Sequence, residues 1–286
     1  RGYWQAPQGH VPEVGAVGQT LPVGHALLFV GVHHQQHRAL LGGGNGLEVG
    51  QPGGGVQQAG GGKAEREGVP EGVGVVADQE GIRDQLTLSI ESGPVGGIPS
   101  SGVAFGTSLN PEAILDQSTQ FDGYTGGSLD ITFLGLAEAD RMGNINVSKF
   151  GARVSGAGGF IDITQSTKNV VFCGTFTAGG LKTAAENGKL VIVQEGRTAK
   201  LVEQVQQITF NGPYAAKCGQ HVLYITERAV FELRPEGMTL IEIAPGIDLQ
   251  TQVLDHMGFV PRIADDLKLM DERIFRDELM GLSSRG

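Results

Sequence analysis

The chain has 286 residues, of which 40% are hydrophobic, and its formal net charge is −10. This length and composition are enough for one large or two small domains with a buried core. The acidic balance argues against nucleic acid as the main partner, because binding phosphate groups needs a basic surface. Residues 26–32 form the longest apolar stretch, which is far too short to cross a membrane.

The number and spacing of the cysteines indicate the redox state of the compartment in which the protein resides. The chain has only two cysteines, Cys173 inside an apolar run and Cys218 in a turn-like segment. Two cysteines without a metal-binding or disulfide spacing are typical of a protein from a reducing compartment. We therefore expect a cytoplasmic protein with a buried thiol at Cys173 and no metal site.

The first part of the chain differs in composition from the rest. Residues 1–62 are rich in Gly, Gln, Val and His, and they contain no Lys, Asp, Ser or Ile. We treat residues 1–68 as a Gly-rich segment without a fold, either mistranslated from a wrong frame or unrelated DNA, or a disordered leader. His33, His34 and His37 are not expected to bind metal, because they have no carboxylate or cysteine partners nearby in the sequence. Residues 69–286 are expected to form the folded domain.

The folded part begins with a short helix, a strand and a glycine-rich turn. The pattern predicts a helix that stops at Gly81 and a half-buried strand over residues 85–90. Glu91 follows that strand directly, and Gly93, Pro94, Gly96 and Gly97 follow Glu91. These residues prevent a simple continuation into helix or strand.

Further along the chain, helix and strand signals alternate. Asn110 and Pro111 predict a helix start, with the helix over residues 112–117 and a loop over 121–127. Asp248 is expected to cap a helix that runs to about His256, and an acidic, amphipathic stretch follows over residues 265–280. Glu227 and Arg228 are predicted to form a two-residue hairpin loop without the usual Gly or Asn. Predicted strands cover residues 129–134, 169–172, 190–193, 222–226, 229–233 and 238–243. This order predicts an α/β fold with an open mixed sheet flanked by helices.

Two stretches could carry chemistry. A carboxylate on a rigid turn can present its oxygen in a fixed direction, so Glu91 is a candidate nucleophile or general base. The alternative is a surface glutamate in a Gly-rich turn. The second stretch, residues 151–160, includes Gly156, Gly158 and Gly159. Such a loop lets backbone N–H groups approach a phosphate or an oxyanion, although a glycine cluster of this kind is more often a tight turn than a ligand site.

Five segments in order resemble the family I coenzyme A transferases, specifically the C-terminal, β-subunit-like half of the single-chain acetate or short-chain acyl-CoA transferases. The resemblance runs from about Pro70 to Phe275. The segments are residues 89–97 (SIESGPVGG), 140–148 (DRMGNINVS), 156–162 (GAGGFID), 224–231 (YITERAVF) and 243–248 (IAPGID).

The resemblance implies a role for particular residues. Glu91 would be the nucleophile that carries CoA as a glutamyl thioester, and Gly156, Gly158 and Gly159 would shape the CoA side of the pocket together with Asn144 and Asn146. Coenzyme A would be a substrate and a transient covalent adduct, and no cofactor would be bound permanently. The partners would be an acyl-CoA and a short-chain carboxylic acid.

The sequence also departs from the family. The N-terminal half, with its signature Gly-Gly-Phe-x-x-x-Gly-x-Pro, is not found in residues 1–69, so this chain alone is expected to have an incomplete, inactive site. A homo-oligomer is expected for the complete protein. Two alternatives remain open, an acyl-CoA hydrolase on the same fold and a ligand-sensing module in which Glu91 is only a turn residue.

Overall fold

The computed structural model describes residues 72–100, residue 104 and residues 106–285. Expectations for residues 1–68, including the boundary at residue 69, lie outside the described residues. Among the described helices, none combines the length and the apolar character that crossing a membrane requires. Within the same residues, no three His, Cys, Asp or Glu side chains are grouped as they would be around a metal ion.

A mixed six-stranded sheet forms the centre of the fold. Three of its strands are mutually parallel, namely β5 (Ile131–Gly135), β10 (Asn169–Cys173) and β16 (His221–Ile225). β17 (Ala229–Arg234) and β18 (Gly237–Ile243) continue the sheet in antiparallel fashion, and β19 (Arg262–Leu269) pairs parallel with β18. The strand order is β19-β18-β17-β16-β10-β5. The predicted α/β fold with a mixed sheet is confirmed.

Five short helices in the described part of the chain accompany this sheet. They are α1 (Gly72–Gln79), α2 (Gln117–Thr125), α3 (Phe160–Ser166), α4 (Gly212–Lys217) and α5 (Leu249–Gln252). Short 3-10 turns cover Arg83–Gln85, Leu254–His256, Glu272–Phe275 and Leu282–Arg285. Val170, Phe172 and Tyr224, from the central parallel strands, are fully buried, and Phe160 of α3 packs its ring on Phe172 at 5.5 Å between centroids. The core therefore lies between the sheet and the helices that precede its parallel strands.

Small strand pairs surround the central sheet. β1 (Pro94–Val95) pairs with β4 (Ala113–Ile114), β2 (Ile98–Pro99) with β3 (Ser108–Leu109), and β8 (Lys149–Phe150) with β9 (Arg153–Val154). β6 (Glu138–Asp140) lies between β7 (Ile145–Asn146) and β15 (Leu201–Val202). β12 (Lys182–Glu186) pairs with β13 (Lys189–Gln194), and β11 (Thr177–Ala178) with β14 (Thr198–Ala199).

Several local predictions are confirmed. Helix α1 ends at Gln79, and Gly81 has the positive φ of 68° that favours glycine after a helix. Asp248 caps α5 by accepting a hydrogen bond from the Thr251 N–H. Glu227 and Arg228 do connect β16 and β17, because the flanking residues Thr226 and Ala229 still share a backbone hydrogen bond of 3.0 Å.

Three local predictions are wrong. Residues 85–90 do not form a regular strand, since only Ser89 makes an isolated bridge, to Val95. The helix predicted over residues 112–117 starts at Gln117 instead and continues through the predicted loop, because Asp116 rather than Asn110 supplies the cap. Residues 262–269, which include the start of the acidic stretch, form strand β19 because pairing with β18 outweighs the helical pattern of side chains.

The two ends of the described chain are joined by a buried carboxylate. Glu80, 4% exposed, accepts hydrogen bonds from the backbone N–H groups of Met280, Gly281 and Leu282 at 2.6, 2.9 and 3.1 Å. A buried carboxylate that accepts several N–H groups satisfies both its own charge and those donors. The C-terminal 3-10 turn is thereby attached to the end of α1.

We expect Glu80→Ala to lower the free energy of unfolding by about 3 kcal/mol, because three backbone donors lose a charged acceptor. The matched control is Asp78→Ala, which removes an exposed carboxylate from the last turn of α1, two residues before Glu80. Chemical denaturation followed by circular dichroism measures both. Equal losses for the two variants would contradict the role assigned to Glu80.

Candidate active site

Glu91 lies on a tight turn. The Gly93 N–H donates to the Ile90 carbonyl at 2.9 Å, and the Ile90 N–H donates to the Pro94 carbonyl at 2.9 Å. Gly93 has a φ of 120°, and a Cβ on it would overlap the backbone carbonyl of Leu115. The backbone on both sides of Glu91 is therefore fixed, and glycine is required at position 93 for two separate reasons.

Helix α2 holds this turn from one side. The Gln120 side-chain amide donates to the Ile90 carbonyl at 3.2 Å and to the Tyr124 hydroxyl at 2.8 Å. The Tyr124 hydroxyl donates in turn to Ser89 Oγ at 3.0 Å. Gln120 and Tyr124 are both 4% exposed, so these hydrogen bonds are shielded from water and tie the residues before Glu91 to the helix.

Gly159 and Phe121 lie against the Glu91 carboxylate. A Cβ added to Gly159 would lie 2.7 Å from Phe121 Cε1 and closer still to Phe121 Cζ and Glu91 Oε2. Gly159 has an ordinary φ of −77°, so its backbone conformation would accept any residue. The need for glycine here comes from space, because the carboxylate and the ring already fill the volume of a side chain.

This arrangement lies toward the carboxyl edge of the parallel strands. Only two residues join the end of α3 at Ser166 to the start of β10 at Asn169, so α3 ends at the amino edge of the sheet and begins near the opposite edge. Gly159, immediately before α3, is placed there with Glu91. In open α/β sheets, that edge is where ligands bind.

The electrostatic environment of Glu91 differs from that of a surface glutamate. Burial raises the pKa of the Glu91 carboxyl above its usual value of 4.5. Burial also raises the pKa of Tyr124, and the nearby charge of Glu91 adds to that shift. A carboxylate that has lost part of its hydration is a stronger nucleophile and base than one in water.

The other two glycines of the loop, Gly156 and Gly158, are required for a different reason from Gly159. Gly156 and Gly158 have positive φ values of 82° and 56°, and a Cβ on either would meet nothing within 4 Å. Their requirement is conformational, since each adopts the left-handed backbone that favours glycine in the loop before α3. Of the three predicted pocket glycines, only Gly159 is in contact distance of Glu91 among the described contacts.

The predicted asparagines have internal hydrogen-bond partners. Asn144 donates from its amide to Asp140 Oδ2 at 3.0 Å and accepts from the Gly212 N–H at 3.0 Å. Asn146, fully buried, donates to Glu138 Oε2 at 2.8 Å and accepts from the Ser148 N–H at 3.1 Å. These contacts hold the loops between β6 and β8, and the structure does not bring either amide into a described contact with Glu91.

Sequence reasoning missed the contribution of α2. Gln120, Phe121 and Tyr124 fell within or beside a segment predicted as loop, because the helix start was assigned to Asn110. The signal was present, since Asp116 stands three residues before Thr119, whose N–H it accepts at 3.0 Å. An acidic cap followed by residues at i and i+4, here Gln120 and Tyr124, is a helix pattern.

We expect Gly159→Ala to destabilise the protein by about 1–3 kcal/mol, because the added methyl group would overlap the Glu91 carboxylate and the Phe121 ring. The control is Gly135→Ala at the end of β5, where a Cβ would meet nothing within 4 Å. Urea unfolding measures both variants. A stability change of the same sign and size in the two would contradict the close packing at position 159.

We expect Glu91→Gln to stabilise the protein at neutral pH. A carboxyl group with a raised folded-state pKa binds its proton more tightly when folded, so stability falls as the pH rises above the unfolded value of 4.5. Glutamine removes this loss. Melting temperatures of both proteins from about pH 4 to about pH 7 should diverge as the pH rises, and parallel curves would be inconsistent with a desolvated Glu91.

Two curated proteins share about half of their aligned residues with this chain. Acetate CoA-transferase YdiF of Escherichia coli strain K12 is 53% identical over 214 residues, which is 75% of this chain and 40% of that protein. Caffeate CoA-transferase of Acetobacterium woodii is 50% identical over 222 residues, which is 76% of this chain and 42% of that protein. The chain thus spans about two fifths of the length of the curated relatives it matches.

A solved structure extends the likeness to three dimensions. The crystal structure of the acyl-CoA transferase YdiF from Escherichia coli O157:H7, described as a thioester complex with CoA, matches with a TM-score of 0.71 at 51% identity. The match covers 75% of this chain and 41% of that one. No family model matches the chain. Over the aligned three quarters of its length, the chain belongs to the coenzyme A transferase family.

Proposed function

We propose that this chain is the catalytic part of a CoA-transferase and that Glu91 is its covalent nucleophile. The observation that carries the proposal is the position of the Glu91 carboxylate, half-buried on a rigid turn with Oε2 against Gly159. A transferase of this kind must hold one oxygen atom in line with a thioester carbon and keep water away from the product.

The first half of the reaction forms a mixed anhydride. A Glu91 carboxylate oxygen attacks the thioester carbon of an acyl-CoA, the carbon–sulfur bond breaks, and CoA leaves as the thiolate. The thiolate then attacks the glutamyl carbon of the anhydride, which releases the original acyl group as a carboxylate. Glu91 now carries CoA as a thioester, so the energy of the thioester bond is conserved.

The second half reverses these steps with a different acid. The incoming carboxylate attacks the glutamyl thioester, CoA thiolate leaves, and the thiolate attacks the acyl carbon of the new anhydride. The new acyl-CoA departs, and Glu91 returns as a free carboxylate. The raised pKa of Glu91 supports this role, because a less hydrated carboxylate loses less solvation when it attacks.

The remaining predicted site residues have supporting roles in this proposal. Gly159 leaves room for the reacting carboxylate, while Gly156 and Gly158 set the path of the loop on the CoA side. Asn144 and Asn146 hold the loops behind it through their internal hydrogen bonds. CoA acts as a substrate and transient adduct, without a permanently bound cofactor.

The substrates are an acyl-CoA and a short-chain carboxylic acid. Two relatives of nearly equal identity carry the names of different acids, acetate and caffeate, so the aligned region alone does not choose between acids. We propose that a second, N-terminal half contributes the rest of the pocket, that this chain is inactive without it, and that the complete protein is a cytoplasmic homo-oligomer.

An intact-mass experiment tests the nucleophile. The chain is mixed with the portion of YdiF that the alignment leaves out, incubated with acetyl-CoA, and weighed by mass spectrometry. We expect a gain equal to the mass of CoA less one water, located on Glu91 by peptide mapping. Glu91→Gln should show no gain, while the control Glu112→Gln, an exposed glutamate near the same turn, should react normally.

The alternatives give different results in the same experiment. A hydrolase would release free CoA and acetate at a rate independent of any acceptor acid. A ligand-sensing module would form no adduct, and Glu91→Gln would bind acetyl-CoA as the unchanged chain does. If the mixture binds acetyl-CoA but the mass of the chain does not change, the result would contradict the transferase proposal.

A further inference from the structure

We propose that Phe121 shields the Glu91 carboxylate from water and thereby determines whether the CoA thioester on Glu91 is transferred to an acid or hydrolysed. This inference rests on the proposed function and concerns a residue to which that function assigns no role. It arises from the contact between the Phe121 ring, Gly159 and Glu91 Oε2.

The distances leave no room for a water molecule directly between the Phe121 ring and the carboxylate. Phe121 Cζ and Glu91 Oε2 both lie closer than 2.7 Å to the position that a Gly159 Cβ would take, so the two atoms are separated by less than twice that distance. A water molecule between them would need about 2.8 Å to the oxygen and about 3.5 Å to the ring carbon. The ring therefore directly borders the carboxylate oxygen.

The ring is held in this position by its neighbours on α2. Gln120 and Tyr124, one residue before and three residues after Phe121, are the side chains that bind the Glu91 turn through Ile90 and Ser89. The Phe121 and Tyr124 rings pack edge to face, with centroids 5.6 Å apart and an interplanar angle of 70°. The same helix thus positions the nucleophile and places an apolar surface beside it.

The exposure of these groups fits a shielding role. Tyr124 and Gln120 are buried, whereas Phe121 is only partly buried. Phe121 is consequently the outer member of this group of α2 side chains, and it borders the half-buried Glu91 carboxylate. A glycine at position 159 completes the arrangement, because a larger residue would separate the ring from the carboxylate.

The competing reaction defines what the shield prevents. Water attacks the glutamyl thioester carbon, the carbon–sulfur bond breaks, and the products are the free Glu91 carboxylate, CoA thiol and one proton. Transfer differs only in the nucleophile, which is the carboxylate of the acceptor acid. An apolar ring that borders the reacting group disfavours the approach of water on the side that the ring covers.

The test compares the rates of hydrolysis and transfer in one mixture. The mixture contains this chain and the portion of YdiF that the alignment leaves out. Acetyl-CoA and propionate are supplied, free CoA thiol reports hydrolysis, and propionyl-CoA reports transfer. We expect Phe121→Ala to raise the ratio of free thiol to propionyl-CoA by about tenfold. Phe121→Leu, which keeps an apolar side chain of similar reach, should restore most of the original ratio.

The outcomes separate this inference from the proposed function. If the unchanged chain forms no glutamyl-CoA adduct, the proposed function fails and the shielding role falls with it. If the adduct forms but Phe121→Ala lowers hydrolysis and transfer in parallel, Phe121 is only structural and the inference is overturned while the function stands. A higher ratio in the alanine variant that leucine does not restore would also overturn it, because shielding needs only apolar volume. Circular dichroism checks that each variant is folded.

Discussion

The close approach of Gly159 to the Glu91 carboxylate is the constraint on which the site depends. It requires the turn at residues 90–93, since a looser turn would not keep Oε2 against the backbone of residue 159. It requires α2 and α3 to pack together, because Phe121 and Gly159 belong to these two helical segments. Burial of the carboxylate raises its pKa and so lowers stability at neutral pH.

Another buried charge lies in the loop between β16 and β17. Arg228, fully buried in the loop after β16, donates to Glu227 Oε1 and Glu195 Oε2 at 2.6 Å each and lies 4.8 Å above the Phe176 ring. Burial acts to raise the pKa of Glu195, but hydrogen bonds from Arg228 and Thr177 outweigh it and lower the pKa to about 2. A buried cation needs such partners. The group explains how a hairpin without glycine is kept in one conformation.

The comparisons show the family to which the chain belongs, but they do not show which acid it uses. Family membership follows from identities of 50% and 53% over about three quarters of the chain. The choice of acid does not follow, because relatives of nearly equal similarity are named for acetate and for caffeate. The physical reason is that a nucleophile on a rigid turn can serve any acid, whereas the acid itself is recognised by surfaces that need not belong to the same segment.

The sequence by itself determined the α/β class, the strands at the centre of the sheet and the glycine turn after Glu91, and it singled out Glu91 as a candidate nucleophile. These features are local, since they depend on apolar runs, on glycine conformations and on short motifs. Tertiary structure alone decided that residues 85–90 do not form a regular strand, that residues 262–269 pair as β19, and that Gly159 rather than Gly156 or Gly158 contacts Glu91. It also decided the partners of Asn144 and Asn146 and the presence of Phe121 beside the carboxylate. The Gln120–Ile90 and Asn144–Gly212 hydrogen bonds join residues 30 and 68 positions apart, and no local pattern specifies which distant side chain will fill a given space.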